Sequence, residues 1–119
     1  MGIEIRTSET LTTLALEGRI VAEESSDLRT KIETLLRSPA PVKVIDLTDI
    51  AFIDSFALGQ LVYYCNNSGG GNGPVYVLNC SSDTESYIDK LIEISELRQV
   101  FTIVKSLDEI GKASDGHGG

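Results

Sequence analysis

An α/β domain with a mixed, mostly parallel sheet, an N-terminal β-hairpin and about four helices is predicted from three features of the chain. Two alternating segments, IEIR and TTLALEG, open it, separated only by a short polar turn. Short β-branched apolar runs then take turns with segments whose apolar residues fall at helical spacing. Gly, Pro and Ser clusters punctuate each change. Strands that alternate with helices imply parallel neighbours and right-handed crossovers, whereas two strands joined by a few residues pair antiparallel.

The elements follow in order. IEIR (3–6) and TTLALEG (12–18) are strands joined by TSET. From Ser25 the period changes: Leu28, Ile32, Leu35 and Leu36 form one apolar face of helix one, Arg29, Lys31 and Glu33 lie on its solvated surface, and the prolines of SPAP stop it. VKVIDL, Val42 to Leu47, is nearly continuous in apolar character, as a central strand covered on both sides would be. TDIAFID reads as the following loop. Leu58, Leu61, Val62 and Cys65 mark the core face of helix two, and NNSGGGNGP ends it. VYVLN is the next buried strand. Ser82 and Glu85 have capping-box spacing ahead of a third helix carrying Ile88, Leu91 and Ile92. VFTIV is a last edge strand, and Ser106 and Glu109 repeat the capping-box spacing before a short terminal helix. The predicted order is β-β-α-β-α-β-α-β-α, in one domain over 1–112 with a disordered Gly-rich tail, ASDGHGG, over 113–119.

Charge and composition narrow the function. A formal net charge of -8 disfavours nucleic acid and anionic lipid, both of which need clustered Lys and Arg. No apolar run reaches membrane-spanning length, and MGIEIRTSET lacks the blocks of a signal peptide, so a cytoplasmic protein is expected. Cys65 and Cys80 form no CxxC pair and are expected to be buried free thiols. The single histidine, His117, falls in the tail. No metal site and no cofactor are therefore predicted, and a His-dependent catalytic triad is excluded.

Asp54 and Ser55 stand after a buried run and before a helix, where an open α/β sheet usually presents its functional groups. Asp and Ser are also preferred N-caps, so from residue types alone the pair reads first as a cap. Three enzyme signatures fail. Ser55 is flanked by Ile53 and Ala57 where a nucleophile elbow needs glycines. Glu23 and Glu24 are poorly placed to hold magnesium beside a phosphorylated aspartate. GGGNG follows a helix and has no lysine after it, which removes a phosphate loop.

VIDLTDIAFIDSFALGQL, followed after a Gly-rich turn by VYVLN and then by LIEISELRQVFTIVKSLDEI, resembles the STAS domains of bacterial anti-sigma factor antagonists. The likeness runs from the opening hairpin through LEGRI to the terminal helix, and its most specific part is the strand, loop and DS entering helix two. It implies a STAS-like fold and a non-enzymatic, cytoplasmic regulator of transcription whose partner is an anti-sigma factor or serine kinase. It further implies that Ser55 is the phosphoacceptor, that Asp54 is its neighbour, and that the start of helix one, around Ala22 and Glu23, borders the Ser55 surface. The family usually continues with a small hydroxyl residue and a glycine, where this chain has Phe56 and Ala57, and commonly has an acid where this chain has Val21. A small-molecule or nucleotide sensor using the same sheet end is the alternative. An enzyme using Asp54 as acid or base ranks last, because no second polar group converging on it is visible.

Helical geometry adds one expectation that needs no family. At roughly 100° per residue, the core face of helix two leaves Phe56, Gln60 and Tyr63 on nearly the opposite side. Either a neighbouring helix or the preceding loop covers them, or they form a contact surface beside Ser55.

Overall fold

The structure is a computed structural model, and it describes residues 2–67, 75–80, 90–91 and 101–109. Five strands form one sheet in the order β1-β2-β3-β4-β5: β1 Ile3–Thr7, β2 Leu11–Ile20, β3 Val42–Ile53, β4 Val75–Leu78 and β5 Thr102–Val104. β1 and β2 pair antiparallel, and every other neighbouring pair is parallel. The hairpin closes through Ser8, whose N–H donates to the Leu11 carbonyl at 2.8 Å while its hydroxyl accepts from the Leu11 N–H at 3.2 Å. A 3-10 turn, Ala22–Glu24, leads from β2 into helix α1, Ser25–Arg37; helix α2, Ser55–Asn67, follows β3.

Both helices cover the same face of the sheet. Leu28, Ile32 and Leu35 of α1 and Ala57 and Leu61 of α2 join Leu14, Leu16, Ile45, Leu47, Ile53 and Val77 in one buried cluster. Strand alternation sends Val44, Tyr76, Leu78 and Val104 to the opposite face, where they form a second cluster. Val44 and Ile45 are thus both buried on adjacent positions of β3, as the nearly continuous apolar run predicts. α1 is fastened where it ends: Ser38 follows its last residue, and the Ser38 and Thr12 hydroxyls lie 2.6 Å apart in the interior.

Two strands run further than the sequence predicts. TDIAFI is not a loop, because β3 continues to Ile53 and pairs with β2 up to Ile20, itself two residues past the expected end. Register shifts between Ala15 and Glu17 and between Gly18 and Arg19 break the two-residue period, so Ile50 and Ile53 are both buried at a spacing of three. Gly18 takes the left-handed conformation this irregularity requires, with φ of 73°. The extension sets the geometry of the site. Ile20 pairs with Ile53, and the Asp54 N–H donates to the Ile20 carbonyl at 3.1 Å, so the segments leaving β2 and β3 start side by side at one end of the sheet.

The buried VYVLN strand is β4, with Asn79 fully buried just beyond it. VFTIV contributes a shorter strand than its apolar run, since Phe101 is buried in a bend ahead of β5. Helix begins again at 107–109 after Ser106, and the Glu109 carboxylate accepts from the Lys105 N–H at 3.0 Å, one residue before the expected cap. Lys90 and Leu91 are helical, while the Ser82–Glu85 capping box, most of the third helix, the Gly-rich turn over 68–74 and the 113–119 tail lie outside the described residues. Among the described residues, no helix is long and apolar enough to cross a membrane.

Candidate functional site

Asp54 is the N-cap of α2 and something more. Its Oδ1 accepts from the Ala57 N–H at 2.8 Å, the capping bond expected three residues into the helix, and its main-chain carbonyl accepts from the Leu58 N–H at 3.0 Å. Its other oxygen, Oδ2, accepts from the Ala22 N–H at 2.8 Å. One carboxylate therefore joins the start of α2 to the start of the 3-10 turn, two points separated by 32 positions in the chain. Both oxygens are engaged in holding backbone. That use leaves Asp54 poorly suited to move protons for a substrate, which removes the basis of the enzyme reading.

Ser55 is the first residue of α2 and is exposed. Of the N–H groups at the start of the helix that have no partner within it, that of Asp54 is taken by the Ile20 carbonyl and that of Ala57 by the Asp54 carboxylate, while the Leu58 N–H makes the first helical bond, to the Asp54 carbonyl. Ser55 and Phe56 are both exposed in the first turn, at the positive end of the helix dipole. Ala22 and Glu23 are exposed in the turn held by the carboxylate of Asp54, which directly precedes Ser55 in the chain.

The outward face of α2 is aromatic. Phe56 is 54 % and Tyr63 61 % exposed, which removes the alternative that a neighbouring element covers them. Ala57 and Leu61 are buried on the other side, with Leu58, Val62 and Cys65 packed against the same core. Gln60 departs from the expected outward position: it is half-buried, with its Oε1 shut away from solvent and without a hydrogen-bond partner among the described residues. Ser55, Phe56, Gly59, Gln60, Tyr63 and Tyr64 line an open groove of about 260 Å³. The Tyr63 and Tyr64 rings meet edge to face, 5.1 Å between centroids.

Gly59 and Tyr64 are the members of this surface that the sequence pattern did not single out. Gly59 carried a signal, because an isolated glycine inside a helix is disfavoured and calls for a reason. No crowding demands it: a Cβ at Gly59 would meet nothing within 4 Å. Its missing side chain leaves the groove floor open between the two aromatics.

The two thiols differ. Cys65 is half-buried, less than the full burial expected, and desolvation still pushes its thiol up to about 12 from its ordinary 9.0. Cys80 is exposed, which corrects the same expectation for that residue: it lies beyond the last residue of β4, where its N–H donates to the Thr48 hydroxyl at 2.9 Å and its side chain has left the sheet.

The whole arrangement, from hairpin to terminal helix, matches the STAS domain family over residues 2–110. The chain belongs to the STAS family. It is 31 % identical over 91 residues to the STAS-domain containing protein PA14_20770 of Pseudomonas aeruginosa strain UCBPP-PA14, covering 76 % of this chain and 85 % of that protein. Among solved structures it is similar to an anti-sigma factor antagonist from Mycobacterium paratuberculosis, with a TM-score of 0.72 at 21 % identity over 93 % of this chain and 91 % of that one. The Bacillus cell-fate determinant SpoIIAA in its phosphorylated form aligns with a TM-score of 0.63 at 16 % identity, covering 94 % of this chain and 99 % of that one. The STAS domain described here thus shares its fold with anti-sigma factor antagonists.

Proposed function

We propose that this STAS domain is a cytoplasmic regulator that binds an anti-sigma factor or a serine kinase through the Ser55 end of the sheet and is switched by phosphorylation of Ser55. One observation carries this reading: an exposed hydroxyl heads a helix, flanked by exposed Phe56 and Tyr63, on a scaffold pinned by both oxygens of Asp54. Ala22, Glu23, Asp54, Ser55, Phe56, Gln60 and Tyr63 make up the proposed contact surface. The likeness to a phosphorylated SpoIIAA supports the chemistry at the fold level.

In the proposed step, the Ser55 oxygen takes the terminal phosphoryl group of ATP bound to the partner kinase, the serine proton leaves, and ADP is released. The product carries roughly -1.5 to -2 charges at neutral pH. The helix N-terminus tolerates that charge, so the fold should persist while the surface changes. A partner closely fitted to a neutral hydroxyl then meets a bulky, strongly hydrated anion where the hydroxyl was, and the complex dissociates through misfit and the cost of desolvating the phosphate.

The test is intact mass measurement after incubation with candidate partner kinases and ATP, on the native protein and on Ser55→Ala. A gain of one phosphoryl group in the native protein alone is expected. No gain with any kinase, together with partner binding that ignores Ser55, would end the switch model.

A further inference from the structure

We propose that the groove over Gly59, walled by Phe56 and Tyr63, is a specificity pocket that receives an aliphatic side chain from a basic protein segment. This rests on the reading of the Ser55 end as a partner surface and adds what kind of segment that surface takes. Shape supplies the first half of the argument. Phe56, Gly59, Gln60 and Tyr63 recur at spacings of three, one and three along α2, so they share one stripe of the helix. Two rings more than half exposed stand either side of a residue without a side chain. Exposed aromatics around an open floor are what an inserted apolar side chain fills, and such anchors dominate interface energies.

Charge supplies the second half. α2 carries no charged residue between Ser55 and Asn67, so the groove itself is neutral. The turn tied to Asp54 places Glu23 and Glu24 beside its Ser55 end, and neither carboxylate is in an ion pair among the described residues. The nearest carboxylate on α1, Asp27, is held by Lys31 at 3.2 Å. With a net charge of -8 on the whole chain, this rim attracts a cationic segment and repels both nucleic acid and a second copy of itself.

The experiment selects a random peptide library displayed on phage against the full chain, with the Phe56→Ala, Gly59→Gln double variant used for subtraction. Recovered peptides should be net basic and share an aliphatic residue. A synthetic peptide of that consensus should lose about tenfold or more in affinity, read by calorimetry, with Phe56→Ala or with Gly59→Gln. Glu23→Gln with Glu24→Gln should weaken it several-fold and remove most of its salt dependence. Circular dichroism of each variant checks that the fold is intact, as expected for substitutions outside the buried core. Selection without a basic, aliphatic consensus, or binding indifferent to both groove variants, overturns the proposal. A dimer of the chain alone that Phe56→Ala dissociates also overturns it, since the occupant would then be a second copy. Groove-dependent peptide binding without any Ser55 phosphorylation would leave the pocket standing and remove the switch; the reverse pair of results would do the opposite.

Discussion

Asp54→Ala tests the strongest geometric claim about the site, that one carboxylate holds two segments together. The substitution removes the capping bond to the Ala57 N–H and the bond to the Ala22 N–H, both 2.8 Å long in the native fold. Loss of an Asp cap costs about 1 kcal/mol, within a range of roughly 0.5 to 2. The Ala22 N–H is exposed, so water replaces its lost partner and the net cost there is about 0.5 to 1 kcal/mol. The sum is about 2 kcal/mol. For a domain of this size, at about 4 °C per kcal/mol, the melting temperature should fall by about 8 °C. Asp54→Asn should fall about half as far, because its single carbonyl oxygen can keep only one of the two bonds. The assay is thermal unfolding by circular dichroism, joined to amide hydrogen exchange at Ala22 and Ala57. Exchange at both amides should accelerate in Asp54→Ala. A shift under about 2 °C, or unchanged exchange at Ala22, would refute the idea that the carboxylate clasps the turn to the helix.

Other substitutions separate surface from core. Gly59→Ala should stabilise the free domain by about 0.5 to 1 kcal/mol in chemical denaturation, since the added methyl meets no atom and the helix gains propensity. Phe56→Ala should change stability by less than about 0.5 kcal/mol, whereas Leu61→Ala, on the buried face of the same helix, should cost about 2 to 5 kcal/mol. At pH 8, a maleimide should modify the native protein once, at exposed Cys80, and twice only after unfolding. Cys65 also gives a pH signature. Its folded pKa, raised to about 12 from 9.0, means that the unfolded chain loses the proton first. The stability it contributes is whole below about pH 9 and falls as pH rises toward 12, by at most about 1.4 kcal/mol per pH unit, and denaturation curves of Cys65→Ala should lack that slope.

Local pattern determined the element types and most of the core, because burial on one face of a helix or strand writes a period into the chain. Leu28, Ile32 and Leu35 are buried as their spacing predicts, and Phe56 and Tyr63 face outward as the geometry of α2 requires. The same logic failed at residues 48–53, where register shifts against β2 broke the alternation that marks a strand, and a pairing partner more than 30 positions away supplied the hydrogen bonds instead. It also left Asp54 and Ser55 undivided. A cap and a site use the same residue types, and only the approach of Ala22 to Oδ2 shows that Asp54 serves as a clasp while Ser55 stays open to solvent. The groove over Gly59 was hidden for a related reason: the chain records a glycine, but whether a neighbour crowds it or nothing does is decided by how α2 lies on the sheet. Periodicity is a property of neighbours along the chain, and clasps, bulges and grooves belong to segments that folding brings together.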